Sequence, residues 1–467
     1  MKGQSDFERF LQSCPRRRRN FFSRPDLTRR AFFQVAGAGI TASFLAGQLP
    51  AQEVIAQQDV RTIGLAENVI FILLSGAPSH TDTFDLKVVS GVTPDGVRPE
   101  NVNGVLWPMG ILPKLAQHLP EMAIVRSVTA WNLQHTLGQA WVQIGRNPAG
   151  VLGDVAPNIG SIISVEKAAE RQPGQVFPAF LALNSASAVG SGYLPSAHAP
   201  FKIAPSTAGL ANVTHPDGAS RFDSKWNTLV ALDEPLRKDS PLGAGVQNYD
   251  EFYQAARGLM YNPVVDRAFR FTAADSQRYG GTAFGNACLV AKQVLAANCG
   301  TRFIQITLGG WDMHSDIYGA ANPRGTNIFT LGKQLDDGLS ELFKDLSAAG
   351  LFDRTLIVMM GEFGRTVGKL TSTNGRDHYR QQFCVFAGAR VKGGRVIGAT
   401  DATGANTVDY GWSRNREIKP EDIEATIYSA MGINWTTVRY DDPFGRGFYL
   451  VPDSDKDVYG PIQELWA

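Results

Sequence analysis

Four short stretches of this chain carry residue types that can bind a divalent ion or activate an oxygen nucleophile. Gly309-Gly310-Trp311-Asp312-Met313-His314 sets a carboxylate and an imidazole two positions apart. In an extended turn that spacing lets both face one ion, and the glycines before them let the backbone approach closely. Glu362, Gly364, Arg365 and Thr366 follow an apolar run, and Asp377-His378 come after a glycine-containing loop. Ser79 to Asp85 offers His80, Asp82 and Asp85. His135-Thr136 opens a helix-like run, a position that favours an anionic ligand or an activated hydroxyl. Plainer readings stand beside these. Glu362 and Arg365 suit a loop salt bridge, Ser79–Asp85 a turn capping a strand exit, and Thr136 a helix cap. Four of the seven histidines (His80, His135, His314, His378) fall in these stretches; His118, His198 and His215 do not and are assigned to structure or surface.

The elements that must position these groups are apolar runs. Val69–Leu74 and Leu356–Met360 read as buried strands and Phe303–Leu308 as a strand with alternation, each ending directly before a polar stretch. Met122–Val125, Phe180–Leu183 and Phe383–Ala387 are further strands. Helical patterning covers 112–119, a run from after Thr136 to Ile144, 284–298, 328–346 and 420–431, with two more helices between 225 and 270. Strand and helix alternate, so the expected architecture is α/β with a mostly parallel central sheet. Parallel strands bring their carboxyl ends to one edge, where the polar stretches converge. Residues 150–270, rich in Pro, Gly, Ser and Ala, read as an insertion or cap on that sheet. Mixed oxygen and nitrogen ligands suit zinc, manganese or iron, with zinc or manganese foremost, better than calcium.

The chain has 467 residues, enough for one large elaborated domain or two, given about 100–200 residues per domain. A net charge of +1 gives no support for nucleic acid as a partner. Thr28-Arg29-Arg30-Ala31-Phe32-Phe33 followed by the weakly apolar run Val35–Gly47 reads as a twin-arginine export signal. A basic tail around Arg16–Arg19 or a retained anchor is the alternative. The run is too short for a stable span, which needs about 20 residues. The implied partner is the twin-arginine export machinery, the implied location periplasmic or extracellular, and cleavage falls between Ala46 and Ala56. Cys14 precedes the signal; Cys288, Cys299 and Cys384 sit in apolar contexts and read as inert thiols, not a disulfide framework.

Taken together, Gly76–Asp85, Ile124–Val128, Gly310–His314, Gly361–Thr366, Gly375–His378 and Gly393–Gly398 resemble a bacterial family known as domain of unknown function 1501. Its members commonly begin with a twin-arginine signal. The resemblance spans roughly residues 65–435, leaving 1–56 as signal and tail and 436–467 as a C-terminal extension. The family looks like a branch of the alkaline phosphatase and sulfatase superfamily, which implies an α/β/α sandwich and a two-metal site for a phosphate or sulfate ester. On that resemblance Asp312 and His314 correspond to ligands of the first metal, completed by His378. Glu362 stands where the superfamily has an Asp-His pair for the second metal, with Phe363 in place of its histidine. Ser75-Gly76 replaces the usual strand-end aspartate, for which Asp82 or Asp85 is the candidate substitute. The segment 135–146 resembles the sulfatase nucleophile helix without its Cys or Ser, leaving His135 and Thr136 as nearest candidates.

Two function classes follow. One is a metal-dependent exported hydrolase: Asp312, His314 and His378 share an ion with Asp82, Asp377 or Glu362 close by, Thr136 or water attacks, and Arg365 or Arg126 holds the anion. The other is a non-catalytic exported binding or assembly protein that keeps the fold.

Overall fold

The computed structural model describes residues 54–56, 58–237, 253–319 and 325–467. The twin-arginine stretch lies outside them. The chain divides into two units, Met1–Gln52 with Leu236–Gln247, and Glu53–Pro235 with Asn248–Ala467. The second unit contains everything considered below.

Its centre is an eight-stranded sheet. In chain order the strands are β1 (Asn68–Ser75), β2 (Met122–Thr129), β3 (Phe180–Leu183), β4 (Phe201–Ile203), β5 (Phe303–Gly309), β6 (Thr355–Met360), β7 (Gln381–Ala387) and β8 (Arg395–Ile397). Across the sheet they run β8-β2-β7-β6-β1-β5-β3-β4. β1 lies between β5 and β6 and pairs with both in parallel, Ile70 opposite Ile304 on one side and Ile357 on the other. Only β7 is antiparallel, to β6 and to β2.

Strand side chains alternate between faces, and each face has its own core. Ile70, Ile72 and Leu74 of β1 join one apolar cluster, while Val69, Phe71 and Leu73 join another. The first is covered by helices Ala283–Ala297 and Ile328–Ala348. The second is covered by α1 (His135–Ile144), Ile159–Glu166 and Pro420–Ala430. Helices on both faces explain why the central strands are continuously apolar, and they make the architecture the expected α/β/α sandwich. Cys288 and Cys384 are free and buried; Cys299 is free and half-buried.

Two expectations about chain organisation need correction. The block 150–270 is not simply a cap, because β3 and β4 extend the central sheet by pairing in parallel beside β5. The segment 436–467 is not an appendage either. Thr437–Arg439 pairs with Val54–Ala56 and with Phe448–Tyr449, and Leu450, Ile462 and Leu465 are buried in the second core.

Candidate metal centre

The loops leaving β1, β2, β5 and β6 meet at the carboxyl edge of the sheet. β7 joins them from the other direction. Being antiparallel, it has its amino end at this edge, and His378 lies just before that end. The two-residue strands Gly364–Arg365 and His378–Tyr379 pair antiparallel, Arg365 opposite His378. Tight turns allow the approach. Gly76, at φ +103°, sits so close to the β5 exit that a Cβ would fall 2.5 Å from the Asp312 nitrogen, and one on Gly375 would fall 2.1 Å from the His314 carbonyl carbon.

Four side chains converge there: His135, Asp312, His314 and His378, with one ligand-type atom from each lying within 4.8 Å of all the others. His314 Nε2 is 2.9 Å from His378 Nε2 and 3.0 Å from Asp312 Oδ1. His135 Nε2 is 3.1 Å, and His378 Nε2 3.8 Å, from the same carboxylate oxygen. Ligands at about 2.0–2.2 Å around a tetrahedral ion stand roughly 3.3–3.6 Å apart, so the set fits one ion with small adjustments.

The outer ring nitrogens fix the orientation. His135 Nδ1 meets Glu362 Oε1 at 2.8 Å, His314 Nδ1 meets Asp377 Oδ1 at 2.7 Å, and His378 Nδ1 meets the Leu133 carbonyl at 2.7 Å. A carboxylate or carbonyl can only accept, so each Nδ1 carries a proton, and in its neutral form each ring presents a lone pair at Nε2. Two such lone pairs 2.9 Å apart repel unless a cation or a proton lies between them. His135 Nε2 is buried and makes no hydrogen bond. Burial lowers the pKa of His378, which keeps that ring neutral. The hydrogen bond to Glu362 raises the pKa of His135 against burial. Burial opposes ionisation of Asp312, but the hydrogen bond and charge of Arg365 hold its carboxyl well below the usual range.

Arg365 is 1% exposed and spends every N–H within the protein. Nε donates to the Ala77 carbonyl (2.9 Å), and Nη1 to the Arg376 carbonyl (3.1 Å) and toward His314 Nε2 (3.3 Å). Nη2 donates to the Gly76 carbonyl and to Asp312 Oδ1 (2.7 Å). Four of its five N–H groups are thus held by carbonyls and Asp312, and the fifth points at the His314 Nε2 lone pair that a bound ion would take. Arg126 is anchored through Nε, 3.2 Å from Asp85 and 3.0 Å from the Phe84 carbonyl, while its buried Nη2 makes no hydrogen bond.

The expected ligand group is thus rearranged. Asp312, His314 and His378 come together. Glu362 and Asp377 stand behind them, each gripping a histidine. Asp82 lies elsewhere, buried in an ion pair with Arg376 at 2.6 Å and receiving hydrogen bonds from Ser79 and Tyr318. His80 is buried against the Gly404 carbonyl, and Asp85 accepts from Thr400. Thr136 is exposed on the first turn of α1, next to His135. His135, read from sequence as a nucleophile or anion ligand, stands with the metal-type ligands.

Fold and site together define an α/β/α protein with a candidate metal centre at the carboxyl edge of its sheet. The family model described as "Protein of unknown function (DUF1501)" matches residues 66–458, so the chain belongs to that family. No curated protein matches the chain. Solved structures similar to it include the PsFucS1 sulfatase from Pseudoalteromonas sp., at 13% identity and TM-score 0.37 over 85% of this chain and 71% of that one. A phosphonate monoester hydrolase from Silicibacter pomeroyi matches at 13% identity and TM-score 0.36, over 78% and 73% of the two chains. A protein in the alkaline phosphatase superfamily from Vibrio parahaemolyticus matches at 10% identity and TM-score 0.33, over 88% and 77%. At such scores the overlaps decide neither activity nor substrate. Among the described residues no helix is long and apolar enough to cross a membrane.

Proposed function

We propose that this chain is an exported, metal-dependent hydrolase of phosphate or sulfate esters. The observation that carries the metal is the set of three Nε2 lone pairs and one carboxylate oxygen aimed at a common point, each ring held from behind. Three imidazoles and a carboxylate favour zinc over manganese, which prefers more oxygen ligands. A zinc ion there supplies polarisation of an ester oxygen and a more acidic water at neutral pH. The protein's own part is positional. Glu362 and Asp377 fix two ligand rings and increase their basicity. Arg365 keeps Asp312 ionised and in place, a positioning role rather than a grip on the substrate. Thr136 is the proposed nucleophile, exposed beside His135, with water as the alternative. The His314 side chain is 44% exposed, which leaves one side of the site open to an ester. Export by the twin-arginine route to the periplasm or beyond belongs to the same proposal and rests on Arg29-Arg30.

A second reading, a non-catalytic exported binding or assembly protein, draws on a specific feature. Four protein ligands already complete a tetrahedral site, the arrangement of structural zinc, whereas catalytic zinc keeps a position open. Metal analysis of the mature protein separates these readings when followed by a screen of chromogenic phosphate and sulfate esters. One ion per chain with turnover that disappears in His314→Ala supports the hydrolase. One ion with no turnover supports the second reading. Full metal content in both His314→Ala and His378→Ala ends both.

A further inference from the structure

A second concavity opens at the opposite edge of the sheet. Its wall includes Ala179 and Arg302, the residues immediately before β3 and β5. β5 is seven residues long, so at about 3.3 Å per residue the cavity lies roughly 23 Å from the Asp312 loop. It encloses about 570 Å³, within the range of about 300–1,000 Å³ usual for small-molecule sites.

Most of the wall is apolar, with Val176, Phe177, Phe201, Leu210, Leu259 and Met260 among the residues that form it. Lys167, Arg171 and Arg302 stand in the same wall, and among the described residues no Asp or Glu does. Lys167 is paired with Glu170 at 2.7 Å. The guanidiniums are different. Arg171 is tied to main-chain carbonyls, through Nη1 to Gly300 (3.5 Å) and through Nη2 to Gln175 and Phe177 (2.6 Å), so it contributes positive charge to the wall, while the fork of Arg302 is left to pair with a ligand. Burial and the like charge of Arg302 hold the pKa of Arg171 below the usual arginine value. Neither arginine has a carboxylate partner among the described residues. One free guanidinium fork, Arg302, with the uncompensated charge of Arg171 in the same wall beside an apolar chamber, matches a ligand with an acidic head and an apolar body, since a carboxylate pairs with guanidinium in a bidentate fork.

We propose that this cavity binds an organic anion of that kind, a carboxylate carried on an aliphatic or aromatic body, at a site separate from the metal centre. Its occupancy does not depend on whether the metal centre is catalytic.

The test is calorimetric titration of the full-length exported protein with decanoate and, as the uncharged counterpart, decanol. Expected is saturable binding of one decanoate per chain, weakened at least about tenfold in Arg302→Gln and in Arg171→Gln. Decanol should bind at least about tenfold more weakly than decanoate, since it cannot use the arginines. Leu259→Trp, which fills the chamber, should abolish binding while metal content stays at the wild-type level. No saturable decanoate binding by the wild-type protein would overturn the proposal. So would unchanged affinity in both arginine variants, which also keep the test decisive should Leu259→Trp fail to fold.

Discussion

Glu362 and Asp377 perform the same act on two different ligands, and their burial differs enough to rank them. Glu362 Oε1 accepts from His135 Nδ1 (2.8 Å), from the Gly76 amide (2.9 Å) and from Gln139 (3.1 Å), with its side chain fully buried. Asp377 accepts from His314 Nδ1 at 2.7 Å, but its side chain is 61% exposed. Glu362→Gln keeps the shape and one acceptor oxygen while removing the charge. Loss of such an outer partner weakens metal binding by about 10–100-fold, or about 1.4–2.7 kcal/mol. Asp377→Asn should weaken it by about fivefold at most, because water screens an exposed pair worth about 0–1 kcal/mol. Chelator competition for zinc at neutral pH reads both values. Thermal or chemical unfolding gives an independent check. At zinc 100 times the wild-type Kd the bound ion adds about 2.7 kcal/mol of stability, and a 100-fold weaker variant under the same conditions retains only about 0.4 kcal/mol. Wild-type zinc affinity in Glu362→Gln, or a larger loss in Asp377→Asn than in Glu362→Gln, would refute the assignment of Glu362 as the partner that orients a ligand.

The other predictions address places where the structure departs from simple expectation. Asp82→Asn breaks a buried pair with Arg376 and should cost about 3–5 kcal/mol on a denaturant curve, while the folded protein keeps its full metal content. Loss of the metal would return Asp82 to the ligand set. Burial raises the pKa of Glu424 to about 8, against the opposing charge of Arg146. A carboxyl that stays protonated in the folded state lends stability fully present below its unfolded pKa near 4.5 and lost as pH climbs to about 8, at roughly 1.4 kcal/mol per unit. Glu424→Gln should therefore flatten the stability profile between those limits, and an unchanged slope would count against the buried neutral acid. Changing Arg29 and Arg30 to Lys should leave precursor in the cytoplasm in a fractionation assay; normal delivery of that variant would remove the export claim.

The central strands and their order in the metal loops were open to reading because burial on both faces leaves a continuous apolar run. The first helix was legible to its last residue, since Gly145 at φ +58° ends it. Direction was not legible. Gln381–Ala387 is as apolar as its parallel neighbours, and nothing in that pattern says which way it runs. Yet its reversal is what carries His378 to the carboxyl edge. β3 and β4 hold four and three residues, too few for periodicity to separate strand from loop in a Pro- and Gly-rich block. Asp82 illustrates another limit. A strand-end aspartate looks the same whether it faces an ion or an arginine, and Arg376 lies 294 residues away in the chain.

The departures at Phe363 and Arg365 meet in space, and together they bear on how many ions the site takes. Phe363 is fully buried with Ala77 and Ala130, its ring 4.9 Å from that of His135 and 4.6 Å from that of His378. A phenyl cannot ligate; here it walls off the ligand rings and keeps water from their apolar sides. The Arg365 guanidinium lies 5.9 Å from the same ring and donates to Asp312. Gly76 at φ +103° and Ala77 at φ +62° turn the exit of β1 through left-handed backbone, and the carbonyls of both accept from this guanidinium. A dication about 4 Å from that fixed charge meets roughly 8 kcal/mol of repulsion at an effective dielectric of about 20; the Asp312 carboxylate offsets part of this for one ion and leaves nothing for a second. Glu362, the carboxylate best placed to offset it, is already committed to His135, the Gly76 amide and Gln139. On the reading proposed above, guanidinium and phenyl fill the space beside the ligand set, so part of the site's positive charge is built into the chain.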